Sequence, residues 1–207
     1  MSLPWAVIIA GGQGQRLGGV RKADLRIGGV GLLDRVVTSL GPVQHPLLIS
    51  TGPDDLKVRL PPDSVAIPDL DATCPGPLAA LVAAVDALQK RGVNKGTLIS
   101  VAVDTPFLPR DFVARMIAAL GDAPAAFAAW GNDFYPPNAA WNLSALTDSR
   151  ANLASRDSPN SLKSLQIALK AQRVDWFVSG GKNPFANLNT LSNLVELGVR
   201  AVSACGE

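Results

Sequence analysis

Apolar residues recur along the chain in two alternating modes. Trp5–Ala10 (WAVIIA), Leu47–Ser50 and Thr97–Val103 (TLISVAV) are short apolar runs. Such runs suit strands buried on both faces. Val65–Ile67 is a briefer one. Between them the spacing turns helical. Leu32–Leu40 predicts a helix stopped by Gly41-Pro42. In GPLAALVAAVDALQK, Pro77 stands at a first-turn position, and Leu78, Leu81, Val82, Val85 and Leu88 share one face. PRDFVARMIAAL predicts a helix restarting at Pro109, with Phe112, Val113, Met116, Ile117 and Leu120 inward.

Towards the C-terminus, Pro124–Trp130 and Tyr135–Trp141 read as strands, Leu162–Ala171 as a helix and Val174–Val178 as a strand. Thr190 is placed to cap a last helix, Leu191–Leu197, ended by Gly198. The Ser/Asn/Asp-rich stretch Ser149–Ser161 reads as a surface loop. Repeated β-then-α units predict an α/β fold: a mostly parallel sheet with helices on both faces. Ligands of such sheets sit beyond the carboxyl ends of the strands. The loops after Ala10, Ser50, Ile67 and Val103 are therefore the places to search.

Composition narrows the class. The 207 residues suit one domain, and 47% hydrophobic against 17% charged excludes a disordered chain. A formal charge of +2 gives no reason to expect nucleic acid or a membrane surface as partner. Cys74 and Cys205 form no metal or redox motif. No apolar run is long enough to span a bilayer, and the apolar run after Pro4 lacks the basic flank of a signal peptide. A cytoplasmic location is the expectation.

The first loop, AGGQGQRLGGVRK, fails two standard tests. A P-loop needs glycine, four residues, then Gly-Lys-Ser/Thr; from Gly14 the chain reads GQRLGGV. A dinucleotide fingerprint puts Leu17 where its third glycine belongs. What remains is a glycine loop with Arg16 and Lys22 at its far end. Glycines let backbone N–H groups approach phosphate oxygens, and cations neutralise polyphosphate. The alternative is a turn with solvated charges. In VAVDTPFLP, Asp104 ends a central strand, where a carboxylate holds Mg2+ together with substrate phosphates or caps the next helix. In IPDLDATCPGPLAAL, Asp69 and Asp71 either accept hydrogen bonds from a base or ribose or shape a turn. Asn187 and Asn189 of FANLNT coordinate a metal or shape another turn. His45 is the only histidine, and no nucleophile elbow accompanies it.

In this order, IAGGQGQRLGGVRK, PGPLAAL, VDTPFLP and NLNT resemble the motifs of the molybdenum cofactor guanylyltransferases, over nearly the whole chain. That family transfers GMP from GTP to molybdopterin with Mg2+ and releases pyrophosphate. The resemblance implies a three-layer α/β/α Rossmann-like nucleotidyltransferase fold with a mostly parallel mixed sheet. It implies one domain over residues 1–207, with a nucleotide-binding N-terminal half and an acceptor-binding C-terminal half. By the same resemblance, Ile9, Ala10, Gly11, Gly12 and Gly14 form the nucleotide loop, Arg16 is the loop arginine and Lys22 the phosphate-binding lysine. Asp69 matches the aspartate that recognises guanine, Asp104 the Mg2+ ligand and Asn189 the late asparagine near the metal. Ser50 and Gly52 stand where the family often carries asparagines, and Arg21 where it usually carries aspartate. Those departures keep a CTP-dependent or sugar-phosphate nucleotidyltransferase, and a catalytically silent carrier, in contention. Lys163, Lys170 and Arg173 are candidate phosphate partners on the acceptor side. Protein contacts with a molybdoenzyme or cofactor chaperone are a further expectation.

Overall fold

The computed structural model describes residues 2–12, 19–52, 59–69, 76–153 and 159–203. In chain order the elements are β1 (Trp5–Ile9), a single 3-10 turn (Lys22–Asp24), β2 (Arg26–Ile27), β3 (Val30–Gly31), α1 (Leu32–Leu40), β4 (Leu47–Gly52) and β5 (Ser64–Pro68). They continue with α2 (Pro77–Gln89), β6 (Thr97–Ala102), α3 (Phe112–Leu120), β7 (Ala125–Trp130), β8 (Asp133–Asn142), α4 (Leu143–Leu153), α5 (Leu162–Ala168), β9 (Gln172–Asp175) and α6 (Leu191–Ser203).

Among the described residues, seven strands form one sheet in the order β5-β4-β1-β6-β8-β7-β9. Every pairing in it is parallel except the two made by β8. The two short strands β2 and β3 pair apart from it. Side chains alternate across the sheet, as the period of two demands. Ala6 and Ile8 of β1 face a core built with α1, α3 and α6. Val7 faces the opposite core, built with α2, α4 and α5. The result is the three-layer α/β/α arrangement. Among the described residues, no helix is long and apolar enough to cross a membrane.

Several boundaries differ from the sequence expectation. The stretch 149–153, expected in a loop, belongs to α4. Its start is fixed by the Asn142 carboxamide, which accepts from Ser144 N–H at 3.0 Å, and by buried Leu143 and Leu146. Helix α5 stops at Ala168 because Lys170 turns into the left-handed region at φ 51°. Strand β9 starts at Gln172 and stops at Asp175, whose carboxylate accepts from the N–H groups of Phe177 and Gly131. Helix α3 starts at Phe112; Pro109 opens the turn before it, accepting from Phe112 N–H at 3.0 Å. Thr190 does cap α6, accepting from Asn193 N–H at 3.2 Å. Gly198 does not end that helix. A helical glycine costs about 0.5–1 kcal/mol. Burial of Leu197 and Ala201 on either side of it outweighs that cost.

Candidate active site

Strands β1 and β6 are neighbours, yet the chain visits β4 and β5 between them. The sheet order therefore reverses there, and a crevice opens beyond the carboxyl ends. It holds a cavity of about 570 Å3. Ile9 at the end of β1 and Gly11 and Gly12 just after it line it, with Ser50 of β4, Asp69 just after β5, Ala102 at the end of β6, and Val103 and Asp104 just after that strand. Gly76, Pro77 and Ala80 at the start of α2 close one side.

The glycine loop leaves β1 against β4 at backbone contact. A Cβ on Gly11 would lie 2.6 Å from Gly52 N and 2.7 Å from Gly52 Cα. Gly52 in turn has φ +84°, and a Cβ there would lie 3.2 Å from Gly11 O. Two glycines in contact let the ends of β1 and β4 converge at the cavity floor. Ala10 is buried, and its N–H already donates to the Ser50 carbonyl at 2.9 Å. Gly14 and Arg16 lie outside the described residues.

The sequence-distant cation and carboxylate meet. Lys22 Nζ donates to Asp104 Oδ2 at 2.5 Å and to Asn189 Oδ1 at 2.6 Å. Both charged side chains are largely buried, at 15% and 14% exposure. The backbone around Asp104 is tied on both sides: Val103 N–H donates to Ile9 O, and Leu188 N–H to Asp104 O. That second bond docks the NLN segment on the strand end. Asn189 is oriented through its own N–H, which donates to Asn193 Oδ1 at 3.3 Å. Two oxygens, Asp104 Oδ2 and Asn189 Oδ1, thus converge on one cation, here the ammonium. Two protein oxygens with substrate phosphates make a donor set that suits Mg2+. Among the described residues no cluster of His, Cys, Asp or Glu offers a separate metal site.

On the opposite side Ser50 Oγ donates to Asp69 Oδ1 at 3.3 Å. Burial raises the Asp69 carboxyl above the usual carboxylate range, and the Ser50 hydroxyl partly offsets it. Asp69 is therefore an acceptor oriented by a neutral hydroxyl, fit to receive N–H groups from a base.

The far wall was not anticipated. Phe134, Tyr135, Pro136, Pro137 and Asn138 of β8 line the cavity with Asn187. Tyr135 Oη accepts from Asn183 Nδ2 at 2.6 Å, which leaves its own O–H to donate elsewhere. Burial raises the Tyr135 pKa, with Asn183 opposing and Asp133 adding to the rise. Asn138 Nδ2 and Asn187 Oδ1 are buried without a hydrogen-bond partner among the described residues. No local motif marks the β8 residues, because they sit on the reversed strand.

Among the described residues, Arg21, His45, Lys163, Lys170 and Arg173 do not line the cavity. Arg21 pairs with Asp24 at 2.9 Å within its own turn, so its charge is engaged there. His45 Nδ1 lies 3.3 Å from the Asp63 carbonyl. Of the three acceptor-side cations, Lys163 stands over the ring of Phe134, a cavity residue, at 4.7 Å. Arg173 pairs with Asp175, and Lys170 follows the end of α5. Cys74 and Asp71 lie outside the described residues, as does Cys205.

Relatives share this architecture and much of this chain. A molybdenum cofactor guanylyltransferase of Bradyrhizobium sp. (strain ORS 278) is 34% identical over 192 residues, 92% of this chain and 89% of that protein. One from Acidiphilium cryptum (strain JF-5) is 32% identical, covering 91% of each. The crystal structure of molybdopterin-guanine dinucleotide biosynthesis protein A from Archaeoglobus fulgidus superposes with a TM-score of 0.69 at 19% identity, over 96% of this chain and 98% of that one. The 2-C-methyl-D-erythritol 4-phosphate cytidylyltransferase of Thermus thermophilus superposes with a TM-score of 0.67 at 16% identity, over 98% of this chain and 100% of that one. At those identities the likeness is one of fold. The sequence match extends over residues 6–166, which take in the glycine loop, Lys22, Asp69 and Asp104, and it shows that the chain belongs to the MobA-like NTP transferase domain family.

Proposed function

We propose that this chain is a molybdenum cofactor guanylyltransferase, moving GMP from GTP to molybdopterin and releasing pyrophosphate. The observation that carries the reading is the convergence of Lys22, Asp104 and Asn189 at one end of the cavity, facing the Ser50–Asp69 pair at the other. One end handles phosphate charge and the other handles a base.

The acceptor's phosphate oxygen attacks the α-phosphorus of GTP. A P–O bond forms, the bond between the α-phosphorus and its bridging oxygen breaks, and pyrophosphate leaves with the electron pair. The nucleophile is already ionised, so no protein base is needed, which agrees with His45 standing apart. Lys22 swings from Asp104 and Asn189 to the phosphates and stabilises charge on the leaving group. Arg16, on the same loop, is assigned a similar part by the resemblance. Asp104 and Asn189 are the residues that would hold Mg2+, which would supply charge neutralisation to the phosphates. Gly11 and Gly12 bring backbone N–H groups to the triphosphate. Asp69, oriented by Ser50, accepts from the guanine edge. Residues of the C-terminal half, Tyr135 among them, face the acceptor, so both substrates meet within one domain.

Turnover with molybdopterin and each of the four nucleoside triphosphates tests this. Pyrophosphate release with GTP alone among the four is the expected result. Release with CTP instead would reassign the base site. Nucleotide-dependent thermal stabilisation without release would make the protein a carrier.

A further inference from the structure

Strand β8 is interrupted where it passes the cavity. Across from it, Phe127 of β7 faces Ala139 while the next residue, Ala128, faces Tyr135. Pro136, Pro137 and Asn138 are thereby bulged out of register. On the other side, pairing with β6 ends at Ser100 opposite Ala139. Prolines cannot donate to a ladder, so a Pro-Pro step favours such a break. The bulge is fixed by side chains: Gln166 Nε2 donates to Pro136 O at 2.9 Å, and Ser100 Oγ to Pro137 O at 2.7 Å.

This break would leave the last N–H of β6 without a partner on β8. Ala102 N–H instead donates to the Asn138 side-chain oxygen at 2.9 Å. Ala102 O accepts from Thr105 N–H at 3.2 Å and Thr105 Oγ1 at 2.7 Å, closing the turn that contains Asp104. The Thr105 hydroxyl also lies 3.4 Å from the same Asn138 oxygen. Asn138 is 1% exposed, and the orientation of its amide is set by the donor it faces. Its Nδ2 is left without a partner among the described residues. A buried donor in that state carries a desolvation cost that leucine of similar size would not incur. What the asparagine adds is the clamp on the turn.

We infer that Asn138 is the positioning residue of Asp104. Its carboxamide oxygen replaces the strand pairing removed by the Pro-Pro bulge and holds the carboxylate at the angle that meets Lys22, and the metal when nucleotide is bound. This rests on the reading of Asp104 as a metal carboxylate.

The test measures Mn2+ affinity by electron paramagnetic resonance on the protein with GTP and no acceptor. kcat, KM for GTP and the melting temperature are measured beside it. Asn138→Leu is expected to weaken Mn2+ binding and lower kcat about tenfold each, the usual scale for a residue supporting a ligand, with KM for GTP little changed. Asn138→Asp keeps the acceptor oxygen and should restore Mn2+ affinity. Placed on an Asp104→Asn background, Asn138→Leu should cost nothing further, because coupled residues are not additive. If Asn138→Leu does not fold, Thr105→Val loosens the same turn and is read the same way. An Asn138→Leu protein with normal Mn2+ affinity and kcat, whatever its melting temperature, overturns the proposal. Full additivity with Asp104→Asn does so as well. If Asp104→Asn alone leaves Mn2+ affinity unchanged, the metal reading itself is wrong and the proposal falls with it.

Discussion

Substituting Gly11 with alanine should test the geometry of the nucleotide loop more sharply than removing a charge. The backbone at Gly11 is not in the left-handed region, so alanine suffers no conformational penalty there. The whole cost is contact. The new methyl would stand 2.6 Å from Gly52 N, 2.7 Å from Gly52 Cα and 3.1 Å from Thr51 C. All three are backbone atoms of β4, so no side chain can rotate away. To restore ordinary contact the ends of β1 and β4 must part by roughly 0.8–1 Å. Overpacking of this kind costs about 1–3 kcal/mol. At about 2–4 °C per kcal/mol for a chain of this size, the melting temperature should fall by roughly 2–12 °C. The parting also moves Gly11 and Gly12 at the cavity floor, so KM for GTP should rise. Gly12→Ala is the control: its methyl meets Lys22 Cδ at 3.7 Å, an ordinary contact. Its stability change should stay within about 0.5 kcal/mol. Thermal melts followed by circular dichroism, with and without GTP and Mg2+, compare the two. If Gly11→Ala melts with the wild type, or Gly12→Ala falls as far, the close approach of β1 and β4 is not what fixes the loop.

Lys22→Met keeps the stem and deletes the charge; kcat/KM should drop about 10²–10³-fold, and a loss under about threefold would remove Lys22 from the chemistry. The same variant should bind Mn2+ more tightly than wild type in the absence of nucleotide, since the ammonium no longer occupies Asp104 and Asn189; equal affinity in calorimetry would contradict that. Because burial raises the Asp69 pKa, GTP recognition should weaken on acidification at a higher pH than an ordinary aspartate allows, and Asp69→Asn should flatten that profile. A raised carboxyl pKa means the native state holds more protons than the unfolded chain above pH 3.8, so stability from this group falls as pH rises through its folded pKa; Asp69→Asn should remove that fall in pH-dependent melts. Tyr135→Phe should raise KM for the acceptor while leaving GTP binding unchanged, and should cost about 1 kcal/mol through the stranded Asn183 donor; a raised KM for GTP instead would place Tyr135 on the nucleotide side.

Much of the sheet was legible because buried parallel strands leave unbroken apolar runs. β1, β4 and β6 sit where WAVIIA, LLIS and TLISVAV predicted them. The errors fall where local chemistry argued against a tertiary outcome. Polar residues hide α4, for which the sequence pattern predicts no helix at all, and Gly198 predicts a stop although packing of Leu197 and Ala201 carries α6 through it. Gly11, Gly12, Asp69 and Asp104 line the cavity, as the sequence expectation of a crevice at the strands' carboxyl ends implies. The resemblance implies that Lys22, Asp104 and Asn189 share one site, but spacing alone does not: Lys22 and Asp104 are 82 positions apart, Lys22 and Asn189 167. The proposed role of Asn138 is illegible in the sequence for a different reason. Its role depends on a register break between β7 and β8, and spacing within one strand carries no record of its partner's register.

The position of Lys22 gives the site an order of events. A carboxylate and an amide oxygen aimed at one point, largely out of water, need a cation between them. In this structure the ammonium supplies it. Without phosphate nearby, the Lys22 ammonium held at 2.5 Å would have no new partner if it gave up that place. With a triphosphate bound, Lys22 would exchange Asp104 and Asn189 for phosphate oxygens, and those two residues would be free to hold a metal, so neither the lysine nor the carboxylate would be left uncompensated. Nucleotide and metal should therefore bind with positive coupling, because each removes the obstacle to the other. The hydrogen-bonded ties around Asp104, from Ile9 O, Leu188 N–H and the Asn138–Ala102 clamp, hold the carboxylate still while the cation beside it changes.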